Sequence, residues 1–170
     1  KMIQAYTKQY KCNFVSVMPC NMYGPNDNYD LKNSHVMAAL IRKFSEAKKS
    51  NKSEVIIWGT GKPLREFMHV DDLSNALFLV AEKYNLDEPI NIGTGHEISI
   101  INLAKLISKM IGFKGKIIFD KKYPDGTPRK VLNNKKIIKI GWKPNISLEK
   151  ELKKTLEEYI YKNQWKFQYY

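Results

Sequence analysis

The sequence predicts an α/β fold, on three observations. Short apolar runs alternate with amphipathic stretches of helical period, as in NFVSVM, EVIIWG and GKIIFD. Gly, Pro and Asp/Asn clusters punctuate these segments. Apolar residues make up 43% of 170 residues, enough to bury a core.

KMIQAYTKQY reads as the end of an amphipathic helix already under way. Because the chain does not begin with Met, a fragment is expected whose earlier residues are absent. NFVSVM (13–18) predicts a buried strand, ended by Pro19, and CNMYGPNDNYDLKN a long loop broken at Gly24 and Pro25. A helix over 34–48 would turn Val36, Met37, Leu40, Ile41, Phe44 and Ala47 inward, with Asn33 or Ser34 as cap.

EVIIWG (54–59) reads as a second buried strand, GTGKP as a turn and REFMHV (65–70) as extended chain. Asp71 or Asp72 would cap a helix over 73–83 with Leu73, Ala76, Leu77 and Val80 inward. PINIGTG is a strand and tight turn. Ser99 would cap a helix carrying Ile100, Leu103, Ala104, Ile107 and Ile111 inward and stopped by Gly112. GKIIFD is a strand, YPDGTPRK a loop, and KKIIKIGW a helical turn ending at Gly141. Ser147 would cap a last helix burying Leu148, Leu152, Leu156, Tyr159 and Ile160, before the aromatic tail WKFQYY. With no linker-like stretch, residues 1–170 read as a single α/β unit.

Composition excludes some classes. No run of 18 apolar residues exists, so no membrane span is expected, and the first residues lack the apolar core of a signal peptide. Cys12 and Cys20 flank a strand too long for a disulfide to bridge, which fits a reduced, cytoplasmic setting. No CxxC or His/Cys cluster suggests a metal. The net charge of +12 attracts phosphates, but its lysines also suit solvated faces. No GxGxxG or GxxxxGK turn is present.

Motifs in order carry the functional reading. PCNMYGP (19–25), NSHV (33–36), WGTGKPLREFMHVDD (58–72), INIGTG (90–95) and PDGTPRKVLN (124–133) follow one another along the chain. The set resembles extended short-chain dehydrogenases that act on nucleotide sugars. Within these it is similar to the GDP-L-fucose synthases, GDP-4-keto-6-deoxy-D-mannose 3,5-epimerase-4-reductases, from about Lys1 to Gln164. The resemblance implies the C-terminal part of an extended Rossmann-type, NAD(P)-binding fold with the smaller substrate-binding α/β domain. The Gly-rich cofactor turn, the Tyr-x-x-x-Lys pair and the family's catalytic cysteine would lie upstream and be absent here, so this stretch alone would be inactive. It implies NADP(H) as cofactor, a GDP-sugar substrate, no nucleic acid or membrane partner, and a homodimer when complete.

Residue by residue, His35 matches the family's catalytic acid beside the cofactor. Inverting carbons acidified by a neighbouring ketone requires a base on one face and an acid on the other, and imidazole titrates near about pH 6.5. Pro19, Cys20, Asn21 and Met22, at a strand's carboxyl end, match the segment against the nicotinamide. Arg65 can chelate phosphate oxygens and Trp58 offers stacking area. Asp125 and Lys130 match substrate contacts, as does Lys43, which stands where the family commonly has Arg and so keeps charge but loses the planar fork. Asn133 stands where the pattern has Asp. His69 reads as structural, His96 as solvated. Two alternatives remain: a related GDP-sugar reductase or epimerase, for example for a heptose, and a non-catalytic basic module binding phosphate or nucleic acid.

Overall fold

A computed structural model describes residues 1–165. The elements in order are α1 (Met2–Tyr10), β1 (Val17–Pro19), β2 (Asn21–Tyr23), α2 (Val36–Lys49), β3 (Glu54–Trp58), β4 (Leu64–His69) and α3 (Val70–Lys83). There follow β5 (Ile90–Ile92), β6 (Glu97–Ser99), α4 (Ile100–Ile111), β7 (Lys116–Asp120), β8 (Arg129–Lys130), α5 (Lys135–Lys139) and α6 (Leu148–Trp165). The fold is α/β, as expected. β1 pairs with β5 and β3 with β7, both in parallel, and a short sheet runs β2-β4-β6 with β8 beside β4. Residues 166–170 of the aromatic tail lie outside the described residues.

The chain forms two compact units. Of the described residues, the first comprises 1–22, 66–97 and 131–146, the second 23–65, 98–130 and 147–165. In the first, Met68, Ala76, Val80, Ile90, Ile92, Ile137 and Trp142 form a core that also takes in Cys20. Two buried carboxylates fasten its loops. Glu66 accepts the backbone N–H of Gly95 at 2.5 Å and of Leu132 at 2.8 Å. Asp72 accepts those of Asn145 and Ile146 at 3.0–3.2 Å. A buried charge is tolerable only when hydrogen-bonded in this way.

In the second unit α2 packs on α4 and on β3. Phe44 is fully buried 5.6 Å from the ring of Phe113. The helical stripe on α2 is as expected, with Met37, Leu40, Ile41, Phe44 and Ala47 buried. Ser99 caps α4 by accepting the N–H of Asn102, and Gly112 ends it at φ 74°.

Several expectations need correction. His35, not Asn33 or Ser34, is the N-cap residue of α2. His69, not Asp71 or Asp72, caps α3, its Nδ1 accepting the Asp71 N–H at 3.3 Å. β1 starts four residues late and leaves Met18 exposed, because β5 is its one partner among the described residues. β3 alternates instead of being buried throughout: Val55 and Ile57 point inward, Ile56 and Trp58 outward, because α2 packs on one face of this two-stranded sheet. Leu77 and Ile160 are exposed, lying at the margins of their helical stripes. β2, β6 and β8 were not foreseen; two or three residues carry too little periodicity to register.

Candidate nucleotide-sugar site

The predicted substrate residues of the second unit converge where β3, β4, β8 and the loop after β7 meet. β3 ends at Trp58, whose indole is 58% exposed because it lies on the open face of the β3/β7 pair. It is no core tryptophan. Tyr123 stacks on it, with ring centroids 4.4 Å apart and planes inclined by 13°. From α2, Lys43 reaches across: its ammonium donates to the carbonyl of Ile56 at 3.0 Å and lies 5.4 Å from the indole centroid. Burial pulls the Lys43 pKa below its ordinary value.

The chain then turns through GTG. Gly59 has φ 81°, and a Cβ there would lie 2.3 Å from Asp125 Oδ1; Gly61 has φ 73°, and its Cβ would strike the Phe119 ring. These glycines serve close packing in left-handed backbone, not a phosphate loop. Asp125 accepts the Thr60 N–H at 2.8 Å and the Thr60 hydroxyl at 2.5 Å. Those bonds hold its carboxyl below the usual range, helped by Lys62 and Arg65 nearby.

Arg65 enters from β4. Its Nη1 donates to the carbonyls of Leu64 and Thr127, at 2.8 and 2.6 Å. Its Nη2 lies 3.1 Å from where a Cβ of Gly126 would stand. Lys130 is its register partner across β4 and β8. Lys43 thus flanks an exposed aromatic pair, Arg65 and Lys130 stand side by side on β4 and β8, and Asp125 is engaged with Thr60. A cationic rim about a flat apolar surface suits a ligand with phosphates at one end and a planar ring at the other.

His35 is exposed and makes no capping bond through its side chain. It stands eight residues before Lys43 on the same helix, about 12 Å along the axis. One rigid element therefore fixes an imidazole and an ammonium at two separated points.

The residues expected beside the nicotinamide lie in the first unit. Pro19 is exposed at the end of β1. Cys20 is buried in the core, its N–H donated to Ile92. Asn21 donates its amide to the carbonyl of Glu66 at 2.8 Å, and Met22 packs against the core. His69 is buried and structural, and His96 is exposed. Asn133 accepts the Lys135 N–H through Oδ1, opening α5.

Sequence reasoning missed Tyr123 and Thr60, which stand beside Trp58 and Asp125. An aromatic residue in a stretch otherwise of Lys, Pro, Asp and Gly was the available signal for the first; for the second there was none beyond its place in GTG. A cavity of about 1120 Å³ in the second unit, lined by Tyr29, Arg42, Glu46, Tyr159 and others, contains none of the predicted site residues.

With fold and site in place, comparison with known proteins defines the class. Residues 1–93 match the model of the NAD dependent epimerase/dehydratase family, and the chain belongs to that family. It is 49% identical over 160 residues to a probable GDP-L-fucose synthase 1 of Oryza sativa subsp. japonica, covering 94% of this chain and 49% of that protein. Among solved structures it resembles a GDP-L-fucose synthetase from Naegleria fowleri bound to NADP: TM-score 0.84, 28% identity, 95% of this chain and 51% of that one. It also resembles a GDP-mannoheptose C4 reductase from Campylobacter jejuni with NADP bound: TM-score 0.80, 33% identity, 94% and 53%. The chain spans about half the length of the curated relatives it matches. No helix among the described residues is long and apolar enough to cross a membrane.

Proposed function

We propose that this chain supplies the last Rossmann elements and the substrate-binding part of an NADPH-dependent epimerase-reductase that converts GDP-4-keto-6-deoxy-D-mannose to GDP-L-fucose. One observation carries the reading: the exposed Trp58–Tyr123 pair with Lys43 beside the indole, in the unit that also pairs Arg65 with Lys130 across β4 and β8. A cationic rim without a flat surface would suit any anion, and an indole without cations any apolar ring. Together they suit a nucleoside diphosphate. The 49% identity to a probable GDP-L-fucose synthase supports GDP as that nucleotide.

In this reading Arg65, with Lys43 and Lys130, neutralises the diphosphate. Asp125 holds the loop through Thr60 and meets the substrate at its remaining lone pairs. His35 returns a proton to the ring carbons on the face opposite to that from which an upstream base removed one, inverting C3 and C5. The exposed Pro19, whose ring removes a backbone donor, fits the flat face of a nicotinamide. Cys20, Asn21 and Met22 fit it through backbone, since their side chains are already engaged. NADPH, when bound, supplies the hydride that reduces the C4 ketone. The complete protein would act in the cytoplasm as a homodimer.

A heptose substrate is the second reading, from the likeness to the GDP-mannoheptose C4 reductase at 33% identity. NADPH oxidation by the whole purified protein separates the two. Turnover on GDP-4-keto-6-deoxy-D-mannose is expected; turnover on a GDP-4-keto-heptose alone overturns the substrate. Preference for a single-stranded oligonucleotide over GDP would instead favour a basic binding module.

A further inference from the structure

We propose that Tyr123 is a specificity residue of this site: with Trp58 it forms a two-ring platform that grips the nucleobase of the substrate. The proposal rests on the nucleotide-sugar reading and deepens it. Tyr123 lies in a loop exposed from 121 to 130, where an aromatic ring has no core to join. Nevertheless its ring is held nearly parallel to the indole at 4.4 Å. The loop is fastened on both sides of it. Before it, the Lys122 N–H donates to Asp120 Oδ1 at 3.0 Å. After it, Asp125 grips Thr60 and Thr127 accepts from Arg65.

An exposed, preorganised aromatic pair loses little entropy on binding a third ring. Tyr123 remains 43% exposed and Trp58 58%, so area is available for a base against the pair. A cation beside the platform sets which ring can use it, because Lys43, 5.4 Å from the indole centroid, favours a base tethered to phosphates. Stacking of this kind is worth about 1–3 kcal/mol per base, roughly 5- to 150-fold in affinity.

The experiment is calorimetric titration of the whole protein, unsubstituted and as Tyr123→Ala and Tyr123→Phe, with GDP and with inorganic pyrophosphate, which has no base. Tyr123→Ala should weaken GDP about tenfold and leave pyrophosphate unchanged; Tyr123→Phe should retain the affinity for GDP. If Tyr123→Ala weakens pyrophosphate as much as GDP, the residue only supports the loop and the proposal is overturned. Unchanged GDP affinity in Tyr123→Ala overturns it too, while leaving the nucleotide-sugar reading intact. Failure of the unsubstituted protein to bind GDP at all contradicts that reading itself.

Discussion

Asp125 and Thr60, sixty-five residues apart, are joined by two hydrogen bonds: one carboxylate oxygen accepts the Thr60 N–H and the other its hydroxyl. The pair ties the loop after β7 to the turn after β3, and with them Tyr123 to Trp58. The carboxyl of Asp125 is held low chiefly by the Thr60 hydroxyl. A depressed carboxylate contributes stability above its ordinary pKa and loses it as pH falls through the lowered value. The loop should therefore loosen in acid. Thr60→Val should raise the Asp125 pKa toward the ordinary range and weaken GDP binding several-fold. Carboxyl-carbon NMR against pH measures the first and titration with GDP the second; an unmoved Asp125 resonance would contradict the assignment.

Glu66 should matter for stability rather than chemistry. Its two oxygens satisfy the N–H groups of Gly95 and Leu132 in the interior. Glu66→Ala leaves both without partners, at about 1–3 kcal/mol each, so a loss of roughly 2–6 kcal/mol is expected. Glu66→Gln, which keeps one acceptor, should cost less. Urea unfolding monitored by circular dichroism checks both, and equal losses for the two variants would argue against the hydrogen bonds as the cause.

These two relationships mark what could be read from the chain. The helical stripes of α2 and α4 were legible because many apolar residues at one spacing reinforce one another. Ser99 and Gly112 were legible because capping is local chemistry. His35, Trp58 and Arg65 emerged from motifs in sequence order. Glu66 and Thr60 did not, because their partners lie 29 or more residues away and no local pattern encodes them. The exposed face of β3 was misread for a similar reason: an apolar run does not say whether one face or two will be covered.

Tyr29 carries an alkaline signature. Burial, then the neighbouring Asp27, Glu158 and Tyr159, push its hydroxyl up to about 12. A tyrosine raised in the folded state contributes stability that is whole below the unfolded value near 10 and lost as pH climbs through 12. Tyr29 is partly exposed, so solvent screening reduces the contribution to about 1 kcal/mol. Tyr29→Phe should remove that part of the pH dependence between 10 and 12. Urea midpoints at pH 9 and pH 12 test this, and an identical slope in variant and parent would contradict it.

Gly59 is a position where adding one methyl should be costly. At φ 81°, with Asp125 Oδ1 2.3 Å from a built Cβ, Gly59→Ala must strain the backbone and displace the carboxylate. A loss of about 1–3 kcal/mol is expected together with weaker GDP binding. Thermal unfolding with and without GDP reads both, and a variant as stable and as tight-binding as the parent would show that the turn is not clasped in solution.

The central claim is that an imidazole at the start of α2 moves protons on a keto-sugar whose nucleotide is gripped farther along. Incubating the whole protein with GDP-4-keto-6-deoxy-D-mannose in deuterium oxide, and reading C3 and C5 by mass spectrometry and NMR, tests it most directly. The account predicts deuterium incorporation with inversion in the parent, and in His35→Gln a loss of inverted product with folding unchanged, since the ring is exposed and makes no capping bond. Inversion at the parent rate in His35→Gln would contradict it.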